Sequence, residues 1–376
     1  MTSSVDSAVS LRARADFAAL LADVRGRIDE RLAQWLRPRV VAASQISDDV
    51  GTAAAAVQDL ALRGGKRMRA ALVAAGFVAR SPSDRASTWT VCEPAMMAVE
   101  LLQTYLLIHD DWMDADDVRR GGPAVHVLLR EKLGVKPLGD AAAVLAGDLA
   151  SGYAQEALLE TDLAAERVLR ASRVFARIQV EVVTGQLAEM CASAPSGTGV
   201  RGRESRPNPN ASPSVETIHA LKTASYTVTG PLLLGAALAG ADDGQCAELE
   251  RFGRPLGIAF QLRDDLLGVF GDPSATGKPV WNDIRQGKRT ALVAELRSDG
   301  RSEAVLARAF GKSDAKDVDL AAVVRAMEET GARRRVEARV RELCEEARRA
   351  LESMSLSDVG RGWLAGAVAA LGERAA

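Results

Sequence analysis

An all-α fold is predicted by three features of the 376-residue sequence. Apolar residues recur at helical spacing in most of the long segments. Alanine and leucine are abundant while aromatics make up only 4%, a balance that favours helix. The segments are separated by stretches carrying Gly and Pro, the residues that punctuate helices. With 47% hydrophobic content the chain has ample material for a core, and its length suits one large domain or two.

Taken in order, Leu11, Phe17, Leu20, Val24, Ile28, Leu32 and Trp35 predict an amphipathic helix over Ser10–Leu36. Ala53–Leu62 is a second helix, stopped by Gly64-Gly65. Arg69–Ala79 follows, then a loop at Ser81–Ser87 and a long helix over Thr90–Asp114. Gly121-Gly122-Pro123 ends that region. Gly139–Leu159 and Ala164–Met190 read as two more long helices, the second interrupted at Gly185-Gln186, where something approaches the backbone. Ala192–Pro213, rich in Pro, Gly, Ser and Asn, reads as a mobile loop rather than a domain linker. Val215–Tyr226 restarts helix and Gly230-Pro231 breaks or kinks it. Gly244–Phe270 is long and helical, Gly271–Arg289 is a loop, and amphipathic helices continue beyond Thr290.

The net charge of −2 argues against nucleic acid as a partner. Four scattered cysteines have no ligand spacing and read as reduced thiols of a cytoplasmic protein. The N-terminus has no signal-peptide apolar stretch, and the longest apolar run, Pro231–Ala241, is too short to span a bilayer, so no membrane insertion is expected.

The chemistry centres on Val99–Gly122. An all-round apolar helix belongs in a core, yet this one runs into Asp110, Asp111 and Asp114. Asp110 and Asp114 are i,i+4 neighbours, so their carboxylates stack on one helical face and repel unless a proton or cation lies between them. A solvated helix end is the bland alternative, but acids are unfavourable at a helix C-terminus. A hard divalent cation with oxygen ligands and a bound phosphate accounts for them better. Arg119 and Arg120 follow at once and suit an anionic phosphate. Gly64-Gly65 before Lys66-Arg67-Met68-Arg69 suggests a diphosphate site at a helix start, with Lys66 and Arg69 on one face. A second acid pair, Asp264-Asp265, ends another apolar helix and invites the idea that the two face each other across a cavity.

Five stretches resemble the trans-isoprenyl diphosphate synthases: GGKRMR (64–69), HDDWMDADDVRRGGPAVH (109–126), KTASY (222–226), QLRDDLLG (261–268) and GKPVWNDIRQGKRT (277–290). They occur in the family's order, between about residues 50 and 290. The resemblance implies one domain over residues 1–376, an orthogonal bundle of long helices around a central cavity, and a homodimer. It implies condensation of isopentenyl diphosphate with an allylic diphosphate, and three magnesium ions held between the aspartate-rich helices. By position, Asp110, Asp114 and Asp264 match the metal ligands, with Asp111 and Asp265 supporting them. Arg119, Lys222 and Lys278 match residues that hold the allylic diphosphate. Lys66, Arg69, Gln103 and Arg120 match the isopentenyl diphosphate pocket. Thr223 and Gln261 match polar groups beside the developing cation, and Lys288 a loop residue that closes the site.

One departure stands out: the second motif ends in Gly268, not Asp, and Asp272 is a candidate replacement. Tyr105, five residues or roughly 7–8 Å before Asp110, and the non-aromatic Leu106 resemble the cavity floor of geranylgeranyl synthases. A twenty-carbon product is therefore expected, with farnesyl diphosphate as the alternative. A class I terpene cyclase and a non-catalytic subunit of a heteromeric synthase are the other readings. The retained first-motif aspartates and GGKRMR argue against both.

Overall fold

The computed structural model describes residues 2–81, 85–193, 213–271, 281–300 and 302–372. Helices α1 (Thr2–Ile46), α2 (Asp48–Leu62), α3 (Met68–Arg80) and α4 (Arg85–Met113) lead to a two-residue ribbon pairing Val118–Arg119 with Gly122–Pro123. Then come α5 (Val125–Leu133), α6 (Lys136–Leu159), α7 (Ala165–Ser193) and α8 (Val215–His219). A π-helical stretch (Ala220–Thr229) joins α8 to α9 (Gly230–Ala239), and α10 (Asp243–Phe270) follows. The chain closes with α11 (Asn282–Arg285), α12 (Ala291–Ser298), α13 (Glu303–Ala309), α14 (Asp317–Glu329), α15 (Ala332–Glu352) and α16 (Asp358–Gly372).

The fold is all-α, as predicted, and its helices start where short polar side chains accept the free N–H groups. Ser47 accepts from Val50 at α2, Asp242 and Gln245 form a reciprocal capping box at α10, and Thr290 accepts from Val293 at α12. Helix α3 buries nearly its whole circumference against α9, which is apolar on all sides, and α4 flanks them. Helices α1, α10, α15 and α16 wrap this centre and complete one continuous apolar core.

Several sequence expectations change. Helix α1 runs on past the predicted end at Leu36 with Pro38 inside it, and α4 contains Pro94. Gly185-Gln186 does not interrupt α7. The expected break at Gly230-Pro231 is absent, because the wide π-helical turn brings the Gly230 N–H to the carbonyl of Ser225, and Pro231 then falls in the first turn of α9, where no N–H is needed. Lys66 precedes α3, so it does not share a helical face with Arg69. The loop assigned to Gly271–Arg289 contains α11; residues 272–280, with Asp272 and Lys278, lie outside the described residues. Of the loop assigned to Ala192–Pro213, Ala192 and Ser193 belong to α7, and residues 194–212 lie outside the described part. Among the described residues one helical stretch, Ser87–Met113, is long and apolar enough to cross a membrane, and 61% of its apolar window is buried inside the bundle.

Candidate active site

Three segments bring polar and charged groups to the C-terminal end of α4. Gln186 on α7 donates to Asp110 Oδ1 at 3.2 Å, and Lys222 Nζ lies 3.8 Å from the same oxygen. Lys222 also donates to Glu189 on α7. Lys288, just before α12, donates to Asp114 Oδ2 at 2.8 Å, and Gln286 reaches Asp116 at 3.3 Å. Burial works against both lysine charges, yet Glu189 and Asp110 hold Lys222 above its usual range, and Asp114 does the same for Lys288.

The π-helical stretch that carries Lys222 and Thr223 is clamped by two glycines. A Cβ on Gly185 of α7 would lie 2.4 Å from the Lys222 nitrogen, and one on Gly257 of α10 would lie 2.4 Å from the Ala224 Cβ. The close approach expected at Gly185 is therefore the backbone of Lys222 itself.

The second acid of each pair turns inward. Asp111 is fully buried; desolvation pushes its carboxyl above the usual range while Arg119, which donates to its Oδ1, pulls the other way. Asp264 at the end of α10 is exposed, whereas burial pushes Asp265 up to about 7. Thr223 donates to Gln261 Oε1 at 2.7 Å, and Gln261 donates to Asp265 Oδ1 at 2.8 Å. His219 packs here too, and burial lowers it to about 4. Asp111 and Asp265 thus both lie buried behind their half-buried or exposed neighbours Asp110 and Asp264. A Cβ on Gly268 would sit 3.3 Å from Asp283 Oδ2, so Asp283 brings a carboxylate to the position where the second motif lacks its own.

A second group of cations has a different balance. Arg69 donates to Gln103 and to Thr227 Oγ1 at 2.8 Å, and lies 4.3 Å over the Tyr226 ring. The Arg120 guanidinium lies 3.4 Å from the Cβ position of Gly65; Gly64 and Gly65, with φ of +84° and +142°, form the turn that lets the chain approach it. Burial, together with Arg67, Arg69 and Arg119, holds Arg120 below the usual arginine range, opposed by Glu100. Lys66 is exposed beside them. Arg67 is structural: it is 2% exposed and donates to Glu100 at 2.9 Å, Asp29 at 2.7 Å and the Ala61 carbonyl at 2.8 Å.

Between α4, α7 and the π-helical stretch lies a cavity of about 290 Å³. Asp110 and Lys222 stand on its lining with Tyr105, Leu106, Val182 and Tyr226. The Tyr105 ring meets His109 edge-on, 4.8 Å between centroids. A larger cleft of about 740 Å³, between α8, α12 and α15, carries none of these groups.

Among the described residues no three His, Cys, Asp or Glu side chains converge as a cage for one ion. Such a cage is not what magnesium requires, since it takes one or two carboxylates and completes its shell with water and phosphate oxygens. Asp110 and Asp114, with Gln186 beside them, fit that pattern. Gln186, Glu189, Gln286 and Asp283 did not emerge as site residues from the sequence. Their only signals were the Gly185 before Gln186 and the polar loop after residue 271.

An all-helical bundle with acids, paired lysines and an adjoining cationic pocket around an apolar cavity defines a transferase that handles anionic, apolar-tailed substrates. The sequence profile described as polyprenyl synthetase matches residues 50–327, and the chain belongs to that family. It is 34% identical to a geranylgeranyl diphosphate synthase of Sulfolobus acidocaldarius over 73% of this chain and 76% of the relative. It is 36% identical to a (2E,6E)-farnesyl diphosphate synthase of Mycobacterium bovis over 74% and 70%. The crystal structure of a geranylgeranyl pyrophosphate synthase from Corynebacterium glutamicum, complexed with isoprenyl diphosphate and magnesium, superposes with a TM-score of 0.83 at 32% identity, covering 94% of this chain and 99% of the other. The chain is a prenyltransferase of the all-α isoprenoid synthase fold.

Proposed function

We propose that this protein joins isopentenyl diphosphate head-to-tail to an allylic diphosphate and stops at twenty carbons. The observation that carries the reading is the cavity running from Asp110 and Lys222 to Tyr105 and Leu106. It offers charge at one end and an apolar tunnel with an aromatic wall at the other. The allylic diphosphate binds at the charged end, held by Lys222, Lys278, Lys288 and Arg119. Asp110, Asp114 and Asp264 would hold magnesium, which when bound supplies positive charge to the departing diphosphate; the resemblance implies three ions. Lys222 and Lys288 supply further charge to the same oxygens as the allylic C–O bond breaks. The apolar lining keeps water from the allylic cation. Isopentenyl diphosphate sits on Lys66, Arg69, Gln103 and Arg120. Its double bond attacks, a carbon–carbon bond forms, and the proton lost passes to the released diphosphate.

The farnesyl reading has its own support in the relative of that name. Exposed apolar side chains on α6 and α7, among them Leu145, Val180 and Leu187, support a homodimer through that face. A single catalytic domain in the cytoplasm completes the reading.

The test is incubation of the purified protein with magnesium, isopentenyl diphosphate and, in turn, dimethylallyl, geranyl and farnesyl diphosphate, with the dephosphorylated products sized by chromatography. A twenty-carbon alcohol is expected. A fifteen-carbon product would keep the reaction and move the stop away from Tyr105. No condensation with any primer would overturn the proposal.

A further inference from the structure

Behind the site a line of polar side chains runs from Thr223 through Gln261 to Asp265, and one residue at its end has no assigned part. His219 closes α8, one turn before Thr223. Its Nε2 lies 3.6 Å from Asp265 Oδ2, and both side chains are about 95% buried. Asp265 Oδ2 and His219 Nδ1 are each buried without a hydrogen-bond partner among the described residues, and the backbone N–H of Ala291 also faces the Asp265 carboxyl group.

The direction of the line matters to the reaction. Gln261 presents its NH2 group to Asp265 and its oxygen to Thr223. Thr223 then spends its one hydrogen on Gln261 and turns its lone pairs elsewhere. Were the amide reversed, Thr223 would accept from Gln261 and its own hydrogen would point away from it. Beside a developing cation, lone pairs stabilise and an O–H hydrogen does not. The order of the line holds while Asp265 accepts at both oxygens, and its Oδ2 faces His219. His219 is placed to be that donor after a shift of a few tenths of an ångström.

We infer that His219 is a positioning residue: its ring donates the Nε2 hydrogen to Asp265 Oδ2 and so sets the direction of the Asp265–Gln261–Thr223 chain. This rests on the proposed reading that Thr223 and Gln261 stand beside the allylic cation.

The sequence holds three histidines, so ring nitrogen–proton correlation spectra can be assigned with single substitutions. His219 is expected as the neutral tautomer with its hydrogen on Nε2; a hydrogen on Nδ1 would overturn the inference. His219→Leu should lower kcat about 10- to 30-fold with KM for both substrates within about twofold. His219→Gln, which keeps an N–H donor near Asp265, should restore most of that loss. In a Gln261→Leu background, His219→Leu should add nothing, since both act through the same amide. Equal losses in the Leu and Gln variants at matched thermal stability, or additive losses in the double variant, would overturn it. If Gln261→Leu alone retained full kcat, the placement of Gln261 beside the cation would fall instead, and the ring tautomer would decide on the hydrogen bond separately.

Discussion

The two cationic regions of the site differ in what already balances them. Around Asp110 and Asp114, each lysine has a carboxylate: Lys222 has Glu189 and Asp110, Lys288 has Asp114. Around Gly65, by contrast, Arg69, Arg120 and exposed Lys66 stand together, and Arg120 is held below its usual range by burial and by its arginine neighbours. The first region is internally neutralised, so on the proposed reading a diphosphate would bind there only when extra positive charge arrives with it. In the second, Arg67, Arg69 and Arg119 act on Arg120 against Glu100, and we propose that an anion binds there without metal. On the proposed reading this distinguishes two substrates with the same headgroup, the one whose diphosphate must leave going where metal would be held.

Removing divalent metal should test this difference most severely. We predict that a chelator abolishes turnover, while isopentenyl diphosphate binding, followed by calorimetry, changes by less than about threefold. Loss of both together would erase the contrast. Next in size, Asp110→Asn should lower kcat by about 10³-fold, since it removes charge from the metal side alone; stopped-flow or steady-state rates at saturating substrates would read it. Arg120→Ala should raise KM for isopentenyl diphosphate by about 10- to 100-fold, the worth of a charged hydrogen bond, and leave KM for the allylic partner nearly unchanged. An equal rise for both would show that the two regions share their substrates. Arg67→Leu offers a control from within the same basic turn. It should cost about 3–5 kcal/mol of stability, seen as a lower urea midpoint, because Glu100 and Asp29 lose their buried partner. The smallest expected change in rate comes from Tyr105→Ala, which should lengthen the product and alter turnover by only a few-fold. Unchanged product length would remove Tyr105 as the stop.

Much of this was legible in the chain. Helical periodicity marked the amphipathic helices such as α1, because burial of one face imposes the same spacing wherever it occurs. The acid pairs were visible because neighbouring carboxylates at the end of an apolar helix have few other uses. The motif order also identified Lys222, Thr223 and Gln261 as one group, although 38 residues separate Thr223 from Gln261.

The all-α class, the family and the inventory of charged groups rest on local spacing and residue type, so they can be read from the chain without its fold. The tertiary structure alone decided which charge meets which. Arg67 and Arg69 are two positions apart, yet one is buried on Glu100 and the other opens towards Gln103 and Tyr226. Asp264 and Asp265 are adjacent, yet one is exposed and the other packs beside His219. Gly230-Pro231 looked like a break and instead continues a widened helix clamped by Gly185 and Gly257. In each case the deciding contact comes from a distant helix. Local periodicity records only which face of a helix is buried; the identity of the group buried against it is set when the helices pack.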